Sequence, residues 1–65
     1  MKTIKTETSV SGKVVELIML NTPLNLEYYF IHINGDLVHS QYENNNKLNA
    51  IFNECINEDF DLIYA

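Results

Sequence analysis

The side chains with the clearest chemical potential are two histidines, His32 and His39. They fall in two adjacent predicted strands, and the expected register makes them diagonal neighbours on one face, roughly 5–7 Å apart. Two imidazoles could share a metal ion, but a third ligand would have to come from Tyr28, Glu16 or a second subunit. Histidines in paired strands are more often amphipathic surface residues. We therefore predict no metal site and place both at a surface or an interface.

Cys55 is the only cysteine of the chain. A nucleophilic thiol needs a base beside it, whereas Cys55 falls in an apolar helical stripe, where a free cysteine is typically a core residue. There is no Gly-x-Ser-x-Gly motif, and Gly12 and Gly35 are too few for a glycine-rich phosphate loop. The sequence therefore predicts a non-enzymatic protein without a cofactor. A metal-assisted or thiol enzyme is the weakest alternative.

Acidic residues gather in the last third of the chain: Glu54, Glu58, Asp59 and Asp61. At the C-terminal end of a helix they repel one another and oppose the helix dipole, and each effect costs a few tenths of a kcal/mol. A cationic partner would turn this cost into a binding contribution, and spaced carboxylates can imitate phosphates. The alternative is that these charges are screened by solvent and only keep a small protein soluble.

Aromatic residues form a second candidate surface. Tyr28, Tyr29, Phe30 and Tyr42 cannot all lie beneath one short helix, and tyrosine is enriched at interface hot spots. The predicted partner-binding set is Glu54, Glu58, Asp59, Asp61, Tyr28, Tyr29 and Tyr42. Charge reversal at Glu58 and Asp59 is expected to abolish binding and to leave the fold intact.

The charge balance excludes several classes of partner. Nine acidic residues oppose four lysines, arginine is absent, and the formal net charge is −5. Nucleic acids and anionic membranes need a basic surface, so we expect no direct binding to either. The chain has no apolar run near the ~20 residues of a membrane span and no signal-peptide pattern, which predicts the cytoplasm of a host cell. Its lysine, asparagine and isoleucine content is typical of AT-rich bacteria and their phages.

Local periodicity predicts the elements that must position these groups. β-Branched alternation indicates a first strand, a nearly continuous apolar run indicates a central strand, and Asn34-Gly35 favours a type I′ hairpin turn between two more strands. Asparagine N-cap candidates follow, and then apolar residues at helical spacing, which are Leu48, Ile51, Phe52, Cys55 and Ile56. The predicted strands cover residues 3–10, 13–20, 26–33 and 36–42, and the helix covers about 46–57.

The hairpin turn also predicts a register. The expected pairs are Ile33 with Asp36, His32 with Leu37, Ile31 with Val38, Phe30 with His39, and Tyr29 with Ser40. One face would then hold Tyr29, Ile31, Ile33, Val38 and Tyr42, and the other Leu26, Tyr28, Phe30, His32, Leu37 and His39. Both faces are partly apolar, so the alternation does not decide which one the helix covers.

These elements predict an α+β fold over a single domain, residues 1–65. We expect a small two-layer domain in which an antiparallel three- to four-stranded β-meander carries one amphipathic C-terminal helix on one face. The apolar tail at 60–64 would add a short strand or fold over the sheet. A chain of this size buries only about 60% of its unfolded surface. The uncovered apolar face therefore needs a partner or a second copy, and a homodimer is expected.

Two short segments resemble the phage inhibitors of uracil-DNA glycosylase. The run Glu16-Leu17-Ile18-Met19-Leu20 is similar to an acidic and apolar strand of that family, and Leu37-Val38-His39-Ser40 with Tyr42 is similar to a later strand. The resemblance covers about ten residues, and the family's leading helix and C-terminal strands have no counterpart. It implies a small acidic protein that occupies a DNA-binding enzyme, with Glu16 facing the enzyme and Met19 and Leu20 in an apolar pocket.

The sequence thus favours a small acidic non-enzymatic binding protein of phage or mobile-element type. It would inhibit a nucleic-acid-handling enzyme of defence or repair by protein–protein contact, as a nucleic-acid mimic that offers carboxylates to a basic surface. The alternative is a homodimeric structural or small-ligand-binding module with no inhibitory role. That alternative predicts that a charge at Phe30 or Tyr28 breaks the dimer.

Overall fold

The computed structural model describes residues 1–64, and Ala65, the last residue of the predicted domain, lies outside the described residues. The chain forms one antiparallel sheet in sequence order, followed by one helix. The elements are β1 (Lys2–Thr8), β2 (Val14–Asn21), β3 (Glu27–Ile33), β4 (Asp36–Gln41) and α1 (Asn46–Asn57). The predicted α+β class, with a β-meander and a C-terminal helix, is confirmed.

The strand ends differ from prediction by one or two residues, most clearly at β1. This strand stops at Thr8 because the next residues form a turn, in which the Gly12 N–H donates to the Ser9 carbonyl oxygen at 2.9 Å. Gly12 has a φ of +91°, a conformation that glycine adopts without steric cost. Val10, predicted within the strand, lies in this turn and is 70% exposed.

The predicted type I′ turn joins β3 and β4. Asn34 and Gly35 have φ values of +49° and +84°, and such a turn needs positive φ at both positions. The Asn34 side-chain oxygen also accepts from the Val14 N–H at 2.9 Å, which ties the turn to the start of β2. The first two predicted pairs, Ile33 with Asp36 and His32 with Leu37, are present.

Beyond these two pairs the predicted register is wrong by one residue. A β-bulge leaves Val38 without a partner, and the next pairs are Ile31 with His39, Phe30 with Ser40, and Tyr29 with Gln41. A one-residue shift moves every later side chain to the opposite face. His39 therefore lies on the face of Ile31, and Tyr42 lies on the face of Phe30, both contrary to prediction.

Helix α1 has the predicted bounds and the predicted buried stripe. Asn45 is its N-cap, and its side-chain oxygen accepts from the Leu48 N–H at 3.3 Å. Glu58 ends the helix in a left-handed conformation with a φ of +57°. The residues buried on its inner side are Leu48, Ile51, Phe52 and Cys55.

The helix covers the odd-numbered face of the two central strands. Its buried stripe packs with four buried sheet residues, which are Val15, Leu17, Tyr29 and Ile31. The tail folds over the same core: Phe60 and Ile63 pack against it, and the Tyr64 N–H donates to the Phe60 carbonyl oxygen at 3.1 Å. The opposite, even-numbered face carries neither the helix nor the tail.

Candidate protein-binding surfaces

We call the side of the sheet that faces away from α1 the open face. Alternation and pairing place on it every second residue of β2 and β3, with their neighbours on β1 and β4. Its members are Thr3, Thr6, Thr8, Val14, Glu16, Ile18, Leu20, Tyr28, Phe30, His32, Leu37, Ser40 and Tyr42. Several are well exposed, including Tyr42 at 64% and Leu37 at 57%.

A row of aromatic rings runs along the open face. The Tyr28 ring lies 4.5 Å from that of Tyr42 and 4.7 Å from that of Phe30, and Phe30 in turn stacks on His32 at 6.3 Å, all between ring centroids. The Tyr28 hydroxyl donates to the Ser40 hydroxyl oxygen at 3.0 Å. The bulge in β4 brings Ser40 and Tyr42 to this row. Tyr28 and Tyr42 are therefore together at the surface, as a contact role requires.

The open face is nearly free of formal charge. Among residues 1–64 it includes one carboxylate, Glu16, which lies opposite His32 in the ladder. No lysine belongs to it, since Lys2 and Lys5 pair with Met19 and Leu17 on the covered side. The other carboxylates of the strands, on Glu7, Glu27 and Asp36, likewise belong to the covered side. Charge is thus segregated from this apolar surface.

Tyr29 does not belong to this surface, contrary to its prediction as a partner-binding residue. It is only 4% exposed and lies in the core beneath α1. Its hydroxyl donates to the Glu27 carboxylate at the margin of the sheet. This hydrogen bond, together with burial and the Glu27 charge, raises the pKa of Tyr29. The odd-numbered residues of β3 lie on the covered face, and Tyr29 is one of them. Its partner on β4 is Gln41, which lies on the same face.

The second candidate surface, the acidic end, consists of Glu54, Glu58, Asp59 and Asp61. Glu54 is half-buried, and its carboxylate oxygens accept from the Leu62 N–H at 2.8 and 3.0 Å. Its main-chain oxygen accepts from the N–H groups of Glu58 and Asp59. Glu54 thus ties the tail to the end of the helix.

Glu58 holds the β1–β2 loop. Its carboxylate accepts from the hydroxyls of Ser9, at 3.3 Å, and Ser11, and it lies 3.7 Å from the Lys13 ammonium. The Ser11 hydrogen bond is the main influence that lowers the pKa of Glu58, and the Lys13 charge adds to it against the opposing effect of burial. The Val10 N–H also donates to the Ile56 carbonyl oxygen, at 2.9 Å. A charge reversal at Glu58 would remove these contacts as well as a surface charge, so the expectation that it leaves the fold intact stays a prediction.

Asp59 and Asp61 remain as the outward carboxylates of the acidic end. Both are exposed. Neither side chain makes a hydrogen bond or an ion pair with the described part of the chain, which includes residues up to Tyr64. Of the four acidic residues predicted to bind a partner, these two are available without breaking an internal contact.

The four lysines are exposed and lie off the open face, where they offset fewer than half of the nine acidic residues. Lys13 is paired with Glu58, and the Lys5 ammonium lies 4.4 Å from the centroid of the Phe52 ring, where the two form a cation–π contact. Six carboxylate residues are exposed: Glu7, Glu27, Asp36, Glu43, Asp59 and Asp61. The negative potential of the molecule therefore arises mainly outside the open face.

The two histidines and Cys55, which have the clearest chemical potential in the sequence, lie in separate places in the structure. The bulge moves His39 to the covered side of the sheet edge, where its Nε2 lies 2.7 Å from the Gln41 Oε1, while His32 stays on the open face. Cys55 is fully buried, and burial, followed by the nearby Glu54 charge, raises the pKa of its thiol. Residues 1–64 contain no group of three or more His, Cys, Asp or Glu side chains placed to hold a metal ion.

A groove of about 480 Å³ lies between the β3–β4 hairpin and the tail. Its apolar walls come from Ile33, Val38, Phe60 and Ile63, and Lys13 and Asp36 lie at its polar margin. No buried polar side chain is left without a hydrogen-bond partner among the described residues.

Comparison of the chain with known protein families, with curated proteins and with solved structures finds no match. In the first of the two segments that resemble phage glycosylase inhibitors, the residues lie on opposite faces of the sheet. Glu16 and Leu20 lie on the open face, whereas Met19 packs against the core on the covered face. In the described part of the chain, no helix has the length and apolar character needed to cross a membrane.

Proposed function

We propose that this chain is a small acidic, non-enzymatic binding protein of phage or mobile-element type. It acts in the host cytoplasm and inhibits a nucleic-acid-handling enzyme of defence or repair by direct protein–protein contact. Its carboxylates take the place of phosphate on the basic surface of that enzyme. Asp59 and Asp61 are the contact residues, and attraction between opposite charges makes association fast and sensitive to salt.

The observation that supports this role is the one-sided distribution of charge. Eight of the nine acidic residues lie off the open face, and six of the nine are exposed. Two of the four lysines have internal contacts, with Glu58 and with the Phe52 ring. A basic protein surface would meet a net negative charge off the open face, where eight acidic residues oppose four lysines. Like charges that are unfavourable in the free protein become favourable contacts in such a complex.

The proposal is tested by titrating the protein into assays of purified DNA-processing enzymes over a range of salt concentrations. The panel includes a uracil-DNA glycosylase, a restriction nuclease and an RNA-guided nuclease. We expect at least one enzyme to be inhibited, and we expect the inhibition to weaken as salt screens the charges. Full activity of every enzyme at large molar excess of the protein would overturn the inhibitory role.

Two charge-matched variants identify the contact. D59K/D61K reverses the outward carboxylates of the acidic end, and E7K/D36K makes the same change of net charge at exposed strand residues elsewhere. We expect D59K/D61K to weaken inhibition by about tenfold or more, equivalent to ~1.4 kcal/mol, and E7K/D36K to change it much less. Equal losses would show that net charge alone matters and that the acidic end is not the contact.

A further inference from the structure

The open face has two properties that bear on what could cover it. It carries an aromatic row in which the Tyr28 ring contacts the rings of both Phe30 and Tyr42. Within the described residues it also includes one charged side chain, Glu16, although the chain carries thirteen acidic and basic residues in all. An exposed face that only had to stay in water would gain from charged residues, as the covered side shows at its margins.

The sign of the net charge restricts what can cover this face. Two copies with a charge of −5 each repel one another through any surface that carries carboxylates. The open face is where two copies can meet with the fewest like charges facing each other. A basic partner would find little there to attract it, because its complement is the acidic end on the other side of the molecule.

The size of the face reaches the lower bound for a specific contact. Four strands of up to eight residues cover roughly 25 by 20 Å at standard strand rise and spacing, or about 500 Å² in projection. Two such faces together bury about 1,000 Å², the lower bound for a specific interface. Tyrosine and phenylalanine at its centre are the residue types that contribute most energy in interfaces.

We propose that the open face is the interface of a symmetric homodimer, with a second copy of this chain as its occupant. The same patch serves on both subunits, so each aromatic row packs against the other. Dimer formation buries the apolar surface that a 65-residue chain cannot cover with one helix. It leaves the helix sides, and with them two acidic ends, facing outward. This interface goes beyond the inhibitory role and does not depend on it.

The test is the solution mass of the purified chain, measured by light scattering after size exclusion at low and high salt. We expect twice the mass of one chain, and we expect the dissociation constant to fall as salt rises because salt screens the repulsion between the subunits. This salt dependence is opposite to the one expected for inhibition, so the two proposals can fail separately. A monomer at every concentration and salt level would overturn the dimer and leave the face to an unrelated protein.

Matched substitutions locate the interface. Y42E and Y64E make the same chemical change at tyrosines that are 64% and 82% exposed, but only Tyr42 lies on the open face. L37E and L24E form a second pair, at 57% and 82% exposure, with Leu24 in the β2–β3 turn. We expect Y42E and L37E to be folded monomers, and Y64E and L24E to remain dimers. Circular dichroism confirms the fold of each. Dimers in all four variants would place the interface elsewhere and overturn the proposal.

Discussion

The two faces of the sheet differ in how their apolar side chains are covered. The covered face has mainly aliphatic side chains at its centre, such as Val15, Leu17 and Ile31, which are at most 3% exposed under the helix. The open face has aromatic residues, threonines and a histidine, and its central residue Ile18 is 7% exposed although it is outside the core cluster. The covered face is thus completed within one chain. The open face is partly self-covered, and Glu16 is its one carboxylate among the described residues.

The largest expected effect is a loss of folding stability from a substitution in the core between the helix and the covered face. Phe52→Ala removes a ring that is 1% exposed between helix and sheet, and it should cost about 3–5 kcal/mol in the free energy of unfolding. That is a large share of the 5–15 kcal/mol typical of a folded domain, so the variant should unfold at a much lower urea concentration than the native chain. Urea titration followed by circular dichroism measures the loss.

Phe30→Ala is the matched change on the open face. Phe30 is half-buried and lies outside the core cluster, on the open face that we propose as the dimer interface. Its cost should therefore depend on protein concentration, because association stabilises the folded state by mass action. Urea midpoints at two well-separated concentrations test this. If both variants lost the same stability regardless of concentration, the distinction between the two faces would be wrong.

Much of the fold follows from local signals in the sequence. The bounds of α1, the Asn34-Gly35 turn and the order of the strands are all encoded by residues close together in the chain. The bulge at Val38 was not predicted, because no glycine or other local signal marks it. This one residue explains why Tyr42 and His39 were assigned to the wrong faces.

The roles of the acidic residues depend on contacts distant in sequence. Glu58 receives hydrogen bonds from Ser9 and Ser11, which are 49 and 47 positions away. Helical periodicity places Glu54 and Glu58 on the helix but gives no information about a loop that docks there. The face covered by the helix was also undecided, since both hairpin faces are apolar. Aliphatic residues occur on both faces, with Val14, Ile18 and Leu20 on the open one, and the aromatic Tyr29 is buried on the covered one, so side-chain type does not decide the question either.

A smaller effect concerns the free energy needed to open the helix away from the covered face of the sheet. Asn45→Ala removes the N-cap acceptor of the Leu48 N–H and should cost about 1 kcal/mol. Cys55 is fully buried beneath the helix, so its reaction with a thiol reagent reports opening of the covered face. About 1 kcal/mol should raise the labelling rate roughly fivefold under conditions where opening is reversible.

Asn53→Ala is the control for this measurement. Asn53 is exposed in the middle of α1, where alanine is the better helix former, so labelling of Cys55 should slow or stay unchanged. Faster labelling in both variants would mean that the effect is not specific to loss of the N-cap. Unchanged labelling in Asn45→Ala would show that packing alone holds the covered face closed.

The smallest expected effect is a pH dependence of the folding stability, which arises where Glu58 holds the β1–β2 loop. The pKa of Glu58 is lowered in the folded state, first by the Ser11 hydroxyl and then by the Lys13 charge. Its contribution to stability is therefore fully present above the unfolded pKa, near ~4.3, and is lost as pH falls through the lower folded value. Glu58→Gln should destabilise the protein at about pH 7, and the difference from the native chain should disappear in acid.

Ser11→Ala removes the principal donor and should reproduce part of the Glu58→Gln effect with the same pH dependence. Thermal unfolding of the three proteins across the acid range measures both differences. A native chain and a Glu58→Gln variant that differ equally at about pH 7 and about pH 3 would contradict the argument, because a carboxylate that stabilises only when ionised cannot act on both sides of its titration. The β1–β2 loop would then be held by the main-chain bond from Val10 to Ile56 and not by the charge of Glu58.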